Sequence, residues 1–367
     1  MTTKDKLNFF QLALLLIHAQ IGVGMITLVN DVYFKAGIDS WLSIIVAGIL
    51  IQCMIFVFGL LMKRFPDDHL FTILEKLFGK GIGKTMSFLL CLYFIFIGAV
   101  SITKYTVILK SWLLPITPKW IIIIGLILVT IYAAKDSLHV ITRFYILAFF
   151  VIFLFLGFVM YSLKDANVTY ILPIGKDGLL PIIEGSIQAI YAFQGFEYLL
   201  FLAPFTLGNY RQITLTASVT NWFITIFYTF VVLANQLFFS GEELKLITEP
   251  VFYLIKSFSF RIIERPDLLF TSLWIVLVIT STIVLYYIVS LGFASIINSK
   301  NRYPFLYVST GISFIISMLL YGEERINYVI DRFYLVILSI SLGLPTLLLI
   351  VSWITKKTGK IEDEEKV

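Results

Sequence analysis

The chain has 367 residues, of which 59% are hydrophobic and only 14% charged, with a formal net charge of +5 and a mean hydropathy of +0.94. A soluble domain of this size carries roughly a quarter charged residues, so a water-soluble globular protein is excluded. Apolar runs of about 20 residues, each able to cross a hydrocarbon core of roughly 30 Å, recur throughout, which predicts an all-α membrane protein.

The N-terminus, MTTKDKLNFF, has a basic start before an apolar run but no small-residue cleavage site, so it reads as a retained first span. Charged residues, Pro and Gly then divide the chain into spans near 9–34, 41–62, 86–113, 119–134, 140–162, 179–207, 212–239, 267–297, 304–321 and 328–354. That gives about ten spans with both termini on one side. Lys and Arg divide about 16 against 10 in favour of the segments on the side of the termini, which predicts that both termini are cytoplasmic. One transporter-like domain is expected over 1–355, with repeats about 9–162 and 179–354, and residues 356–367 form a charged cytoplasmic tail. Cys53 and Cys91 both fall in apolar runs and read as small hydrophobes.

The first span, FFQLALLLIHAQIGVGMITLVNDVYF, carries Gly22 and Gly24 at its centre. Each glycine costs a helix interior about 0.8–1 kcal/mol relative to alanine. Two residues apart on an α-helix is about 200° around the axis, so the pair cannot form one packing stripe. A local unwinding explains them better. The sixth span is interrupted in the same way by Gln194, Gly195 and Glu197, where an ionisable group at membrane depth is a functional hypothesis by default.

Both interrupted spans open a set of five. Because five is odd, the second set starts from the opposite side, which predicts a five-plus-five inverted repeat with discontinuous first and sixth helices meeting at a central site. Backbone N–H groups freed near Ile21, Gly22, Val23, Gly24 and Met25 suit a carboxylate, and carbonyls freed near Phe193, Gln194 and Gly195 suit an ammonium. The expected ligand is therefore a zwitterion. Val23, Met25, Phe193 and Phe196 are apolar and Glu197 is the one ionisable side chain in these segments, which favours a small neutral amino acid. Glu197 is expected to hold unwound backbone rather than to touch the ligand carboxylate.

IGVGMITLV in the first span and FQGFEYLLFLAP in the sixth resemble the G-[AV]-G and G-x-E segments of the amino acid–polyamine–organocation superfamily. More narrowly, the whole chain resembles the B subunit of GerA-type spore germinant receptors, the spore germination permease family. It shares the short loops and an inner loop running from Pro66 to Gly79, Gly81 and Gly83. The resemblance implies a nutrient-binding protein of the spore inner membrane that works with a membrane A subunit and a lipoprotein C subunit. It also implies that the eighth span flanks the site, which would bring one of Thr280, Ser281 and Thr282 to the ligand. Two functional classes follow: a receptor subunit that senses a germinant, or an amino acid permease with or without a coupled proton.

Other features carry less. GKGIGKT at 79–85 leaves three residues where a phosphate loop needs four and reads as a basic turn. His18 reads as a packed or hydrogen-bonded helix residue rather than a proton relay. Lys104 reads as a snorkelling side chain, with Glu184 as the alternative partner. No nucleophile–base pair, metal cluster or cofactor motif emerges, so no enzyme activity, cofactor or nucleic-acid partner is expected.

Overall fold

The computed structural model describes residues 6–258, 264–320 and 322–359. Lys4, Arg261, Lys360 and Lys366, which enter the charge count, and most of the expected tail lie outside them.

The first span is two helices, α1 (Phe9–Gln20) and α2 (Val23–Ala36), parted at Ile21 and Gly22. Asn8 starts α1 with a capping box, accepting from the Gln11 N–H at 2.8 Å while the Gln11 side chain accepts from the Asn8 N–H. The second span is α3 (Ser40–Arg64) and the third lies in α4 (Leu70–Trp112). The fourth and fifth are α5 (Lys119–Ala134) and α6 (Leu138–Ser162). In the sixth span α7 (Leu179–Ala189) gives way to tight turns, then a 3₁₀ turn (Phe196–Tyr198), α8 (Leu199–Leu202) and a second 3₁₀ turn (Ala203–Phe205). The seventh span is α9 (Tyr210–Phe238), and two short loop helices follow, α10 (Gly241–Leu246) and α11 (Pro250–Lys256). The eighth and ninth are α12 (Pro266–Ile297) and α13 (Tyr303–Leu319). The tenth is α14 (Glu323–Leu338), a π-helical turn (Ser339–Gly343) and α15 (Leu344–Ile354). Among the described residues ten spans with discontinuous first and sixth helices are therefore present, and the one β feature there is a bridge between Leu7 and Thr206.

The expected basic turn at 79–85 is a hinge. Gly79 (φ 82°) folds helix 70–78 back on the rest of α4, and Gly83 lies so close that an added Cβ would sit 2.5 Å from the Glu75 Cα. Both glycines serve backbone geometry rather than phosphate binding.

Two long pairs frame the centre: α3 packs along α9, and α4 packs along α12. Gly48 and Gly59 on α3 face Thr225 and Thr214 on α9, where a Cβ would meet hydroxyl oxygens at 2.3 and 2.6 Å. Asn221 locks the same seam by donating to the Gly48 carbonyl at 3.0 Å and to Gln52 Oε1 at 3.2 Å.

On the side of the termini, basic side chains from other segments close on the carbonyl ends of helices. Lys84 donates to the Ile296 carbonyl at 2.6 Å, Arg302 to Ala134 at 2.8 Å, and Arg64 to Ser352 at 2.7 Å. The described start of the tail joins them. Lys357 donates to the Lys76 and Leu77 carbonyls, both at 3.1 Å, and the Gly359 N–H donates to the Arg64 carbonyl at 2.8 Å. Each bond satisfies a carbonyl that helix geometry leaves open.

A candidate ligand site between two broken helices

The two breaks pack reciprocally on one another. A Cβ on Gly24 would lie 3.2 Å from the Ala192 Cα, and one on Gly195 would lie 2.8 Å from the Ala19 carbonyl carbon. Gly195 also has φ 114°, a conformation that only glycine adopts readily. Gly22, by contrast, has φ −142°, and its added Cβ would meet Ser281 Oγ at 2.8 Å. The glycines of the first break are thus required chiefly for close approach.

Between α7 and Gly195 the chain overwinds through successive i→i+3 bonds, from Tyr191 N–H to Gln188 through Gln194 N–H to Tyr191. Among the described residues no backbone N–H bonds to the Phe193 or Gln194 carbonyl. Across from this turn, α2 begins at Gly22 with no side-chain cap. Tyr228 of α9 spans both breaks, with its hydroxyl 2.8 Å from the Gln20 carbonyl and 3.1 Å from the Ala192 carbonyl.

A cavity of about 50 Å³ remains beside the breaks, lined by Ala19, Gln20, Gly22, Val23, Gly24, Ile97, Ser101, Tyr191, Ala192, Gln194, Tyr198, Ser281, Thr282 and Leu285. This is room for a few water molecules. Gln20 is buried, and its Oε1 has no hydrogen-bond partner among the described residues, while its Nε2 donates to the Leu16 carbonyl at 3.1 Å. The lining offers hydroxyls, two amides and an open helix start, and it holds no charged side chain. That combination can receive a small polar ligand carrying both donors and acceptors.

Of the residues singled out from the sequence, Gly22, Val23, Gly24, Gln194 and Ser281 line this cavity. Ile21, Met25, Phe193, Gly195, Phe196, Glu197 and Thr280 are buried beside it and do not line it. Phe193 packs edge-on against Tyr228, and Phe196 stacks on Phe58. Glu197 accepts the Gly195 N–H at 2.9 Å, so its carboxylate serves the broken backbone. Thr280 is taken by His18, whose Nδ1 lies 3.0 Å from Thr280 Oγ1 and whose Nε2 lies 3.0 Å from the Tyr145 carbonyl. A carbonyl only accepts, so in the neutral ring Nε2–H donates there, and the acceptor Nδ1 shares the one Thr280 hydroxyl proton with the Leu277 carbonyl, 2.8 Å from the same oxygen. His18 is therefore a hydrogen-bonded helix residue. The Lys104 ammonium sits 5.1 Å above the Tyr191 ring, and among the described residues no ion pair joins it to Glu184.

Several lining residues had gone unread. Gln20 could have been found as an amide directly before the break. Ser101, Tyr191 and Tyr198 carry no local signal, because distant spans bring them to the cavity.

The path of the chain is that of a membrane transporter built on broken helices. It superposes on a substrate-bound, outward-open Na⁺-coupled sialic acid symporter with a TM-score of 0.65 at 12% identity, covering 95% of this chain and 79% of that one. The chain belongs to the spore germination protein family of permeases, whose profile, described as "Spore germination protein", matches residues 6–326. It is 25% identical to the spore germination protein GerQB of Bacillus cereus over 85% of this chain and 86% of that protein. It is 23% identical to the spore germination protein YndE of Bacillus subtilis (strain 168) over 97% and 99% of the two chains.

Proposed function

We propose that this integral membrane protein is the nutrient-sensing subunit of a spore germinant receptor and binds a small neutral amino acid in the cavity between its two breaks. The observation that carries the reading is that the uncapped start of α2 and the buried Gln20, whose Oε1 has no partner among the described residues, line one uncharged cavity. The first suits an α-carboxylate and the second an α-ammonium. A cavity of about 50 Å³ favours the smallest side chains, alanine before valine or leucine. In this reading the protein lies in the spore inner membrane with both termini cytoplasmic, and it acts with a membrane A subunit and a lipoprotein C subunit. It binds its ligand and catalyses no reaction.

The second reading is an amino acid permease, favoured by the transporter fold. A thermal-shift series on the purified protein tests the ligand class. Stabilisation by L-alanine or another neutral L-amino acid is expected, and stabilisation by glucose or a dibasic amino acid instead would overturn the ligand assignment. Reconstituted vesicles separate the two classes: binding without accumulation marks the receptor, and accumulation marks the permease.

A further inference from the structure

A second cavity, of about 550 Å³, lies away from the ligand site, between the third span and the tenth. Leu89, Leu92 and Phe96 of α4 form one wall, and Phe333 and Val336 of α14 with Ile340 of the π-helical turn form the other. Leu89 is 59% exposed and Val336 41% exposed, so the groove opens sideways toward the bilayer. Its α4 wall runs from Met86 to Phe96, about 15 Å of helix and so about one leaflet of a hydrocarbon core roughly 30 Å thick.

One aromatic side chain links the groove to a residue of the ligand site. Tyr93 lines the groove, and its hydroxyl accepts a hydrogen bond from Gln194 Nε2 at 2.9 Å, while Gln194 lines the central cavity. On the groove side, the buried Ser341 hydroxyl of the π-helical turn lies close to the same phenol and has no hydrogen-bond partner of ordinary geometry among the described residues. A π-helical turn is a rare local distortion often found at functional positions. Gln194, Tyr93 and Ser341 thus connect the cavity to the π-helical part of the tenth span.

We propose that the groove between α4 and the tenth span is a site for one acyl chain of a bilayer lipid, coupled to the central cavity through Tyr93. The occupant follows from the length of the groove, its almost wholly apolar walls and its mouth at hydrocarbon depth. An acyl chain seated there presses on the π-helical turn, and Ser341, Tyr93 and Gln194 pass the displacement to the cavity wall. The proposal goes beyond the ligand reading and does not depend on which small molecule the cavity takes.

The test uses the full chain in phosphatidylethanolamine–phosphatidylglycerol vesicles doped with a phospholipid carrying a diazirine midway along one acyl chain. After photolysis, label should concentrate on 86–96 and 333–344, at least fivefold above the exposed residues Leu128, Leu147 and Phe150 of α5 and α6. Leu89→Trp and Val336→Trp, which fill the groove from exposed positions, should each reduce that label at least fivefold. Even labelling of all lipid-facing helices, or label unchanged by both tryptophans, overturns the site. Coupling is read without any ligand from the rate at which a small methanethiosulfonate modifies Ser281→Cys in a Cys53→Ser background. Leu89→Trp should change that rate at least threefold, and Tyr93→Phe should abolish the change. A rate indifferent to Leu89→Trp overturns the coupling. A protein that binds no amino acid leaves both readouts intact, so the two readings fail separately.

Discussion

Gly24 lies so close to Ala192 that a methyl group on the glycine would sit 3.2 Å from the alanine Cα. The obstacle is backbone on one of the two broken helices, and backbone cannot turn aside as a side chain can. At Gly22 the added methyl would meet the Ser281 hydroxyl at 2.8 Å, which can rotate, and the Ser281 Cβ at 3.2 Å, which cannot. Gly22→Ala and Gly24→Ala should therefore both weaken ligand affinity, each by about tenfold, corresponding to ~1.4 kcal/mol. Gly24→Leu should abolish ligand response while the protein still inserts. Parental affinity in both alanine variants, or a normal response in Gly24→Leu, would show that the breaks do not set the site.

Glu197 is expected to act through the backbone it holds. Its carboxylate accepts the Gly195 N–H at 2.9 Å, and a glutamine oxygen can do the same. Leucine cannot, and a buried N–H left alone costs about 1–3 kcal/mol. Ligand response in Glu197→Gln should stay within a fewfold of the parent, whereas Glu197→Leu should lose most of it. Complete loss in both variants would make the charge itself essential and turn the argument toward proton coupling.

Tyr228→Phe removes a hydroxyl that meets carbonyls on both breaks. The buried Gln20 and Ala192 carbonyls then lose that contact, at a cost of about 1–2 kcal/mol. The thermal midpoint should fall by a few degrees, and ligand affinity should fall with it. An unchanged midpoint and affinity would show that packing alone aligns the two breaks.

His69 gives the stability a pH dependence at the start of α4. Its ring Nδ1 accepts the Thr72 N–H at 3.3 Å as the helix cap, and burial lowers its pKa below the ordinary value of 6.5 against the opposing pull of Asp68. The unfolded chain then binds a proton more readily than the folded one. The contribution of the neutral ring is fully present above pH 6.5 and is lost as pH falls toward the lowered folded value. Thermal melts between pH 7.5 and pH 5, comparing the parent with His69→Asn, should show a steeper acid decline in the parent. Parallel curves would remove His69 from the account.

The reading of about ten spans followed from composition and hydrophobic run length, which membrane thickness fixes almost one to one, and the two breaks were legible in Gly22, Gly24, Gly195 and Glu197. The glycines at 22 and 24 were legible as an interruption, but their physical reason was not. Spacing around a helix cannot reveal that Ala192 and Ser281, far away in sequence, are the surfaces they must clear. The same limit hid Tyr228 and Ser101, ordinary residues within ordinary apolar spans. Thr280 shows the converse: a hydroxyl at the right depth, drawn to His18 and away from the cavity by a partner 262 positions distant.

The carbonyl clamps made by Lys84, Arg302, Arg64 and Lys357 have a mechanical consequence. Exposed ion pairs weaken with salt, whereas a cation seated on the partly buried end of a helix is screened far less. The ends of the fourth, eighth and tenth spans and of helix 70–78 are each held by a side chain rooted in a different segment. Pulling one end outward strains a neighbour before it opens a gap. That face of the protein behaves as a laced plate: it yields collectively or stays shut, and thermal agitation of one helix is not enough to let water through to the breaks.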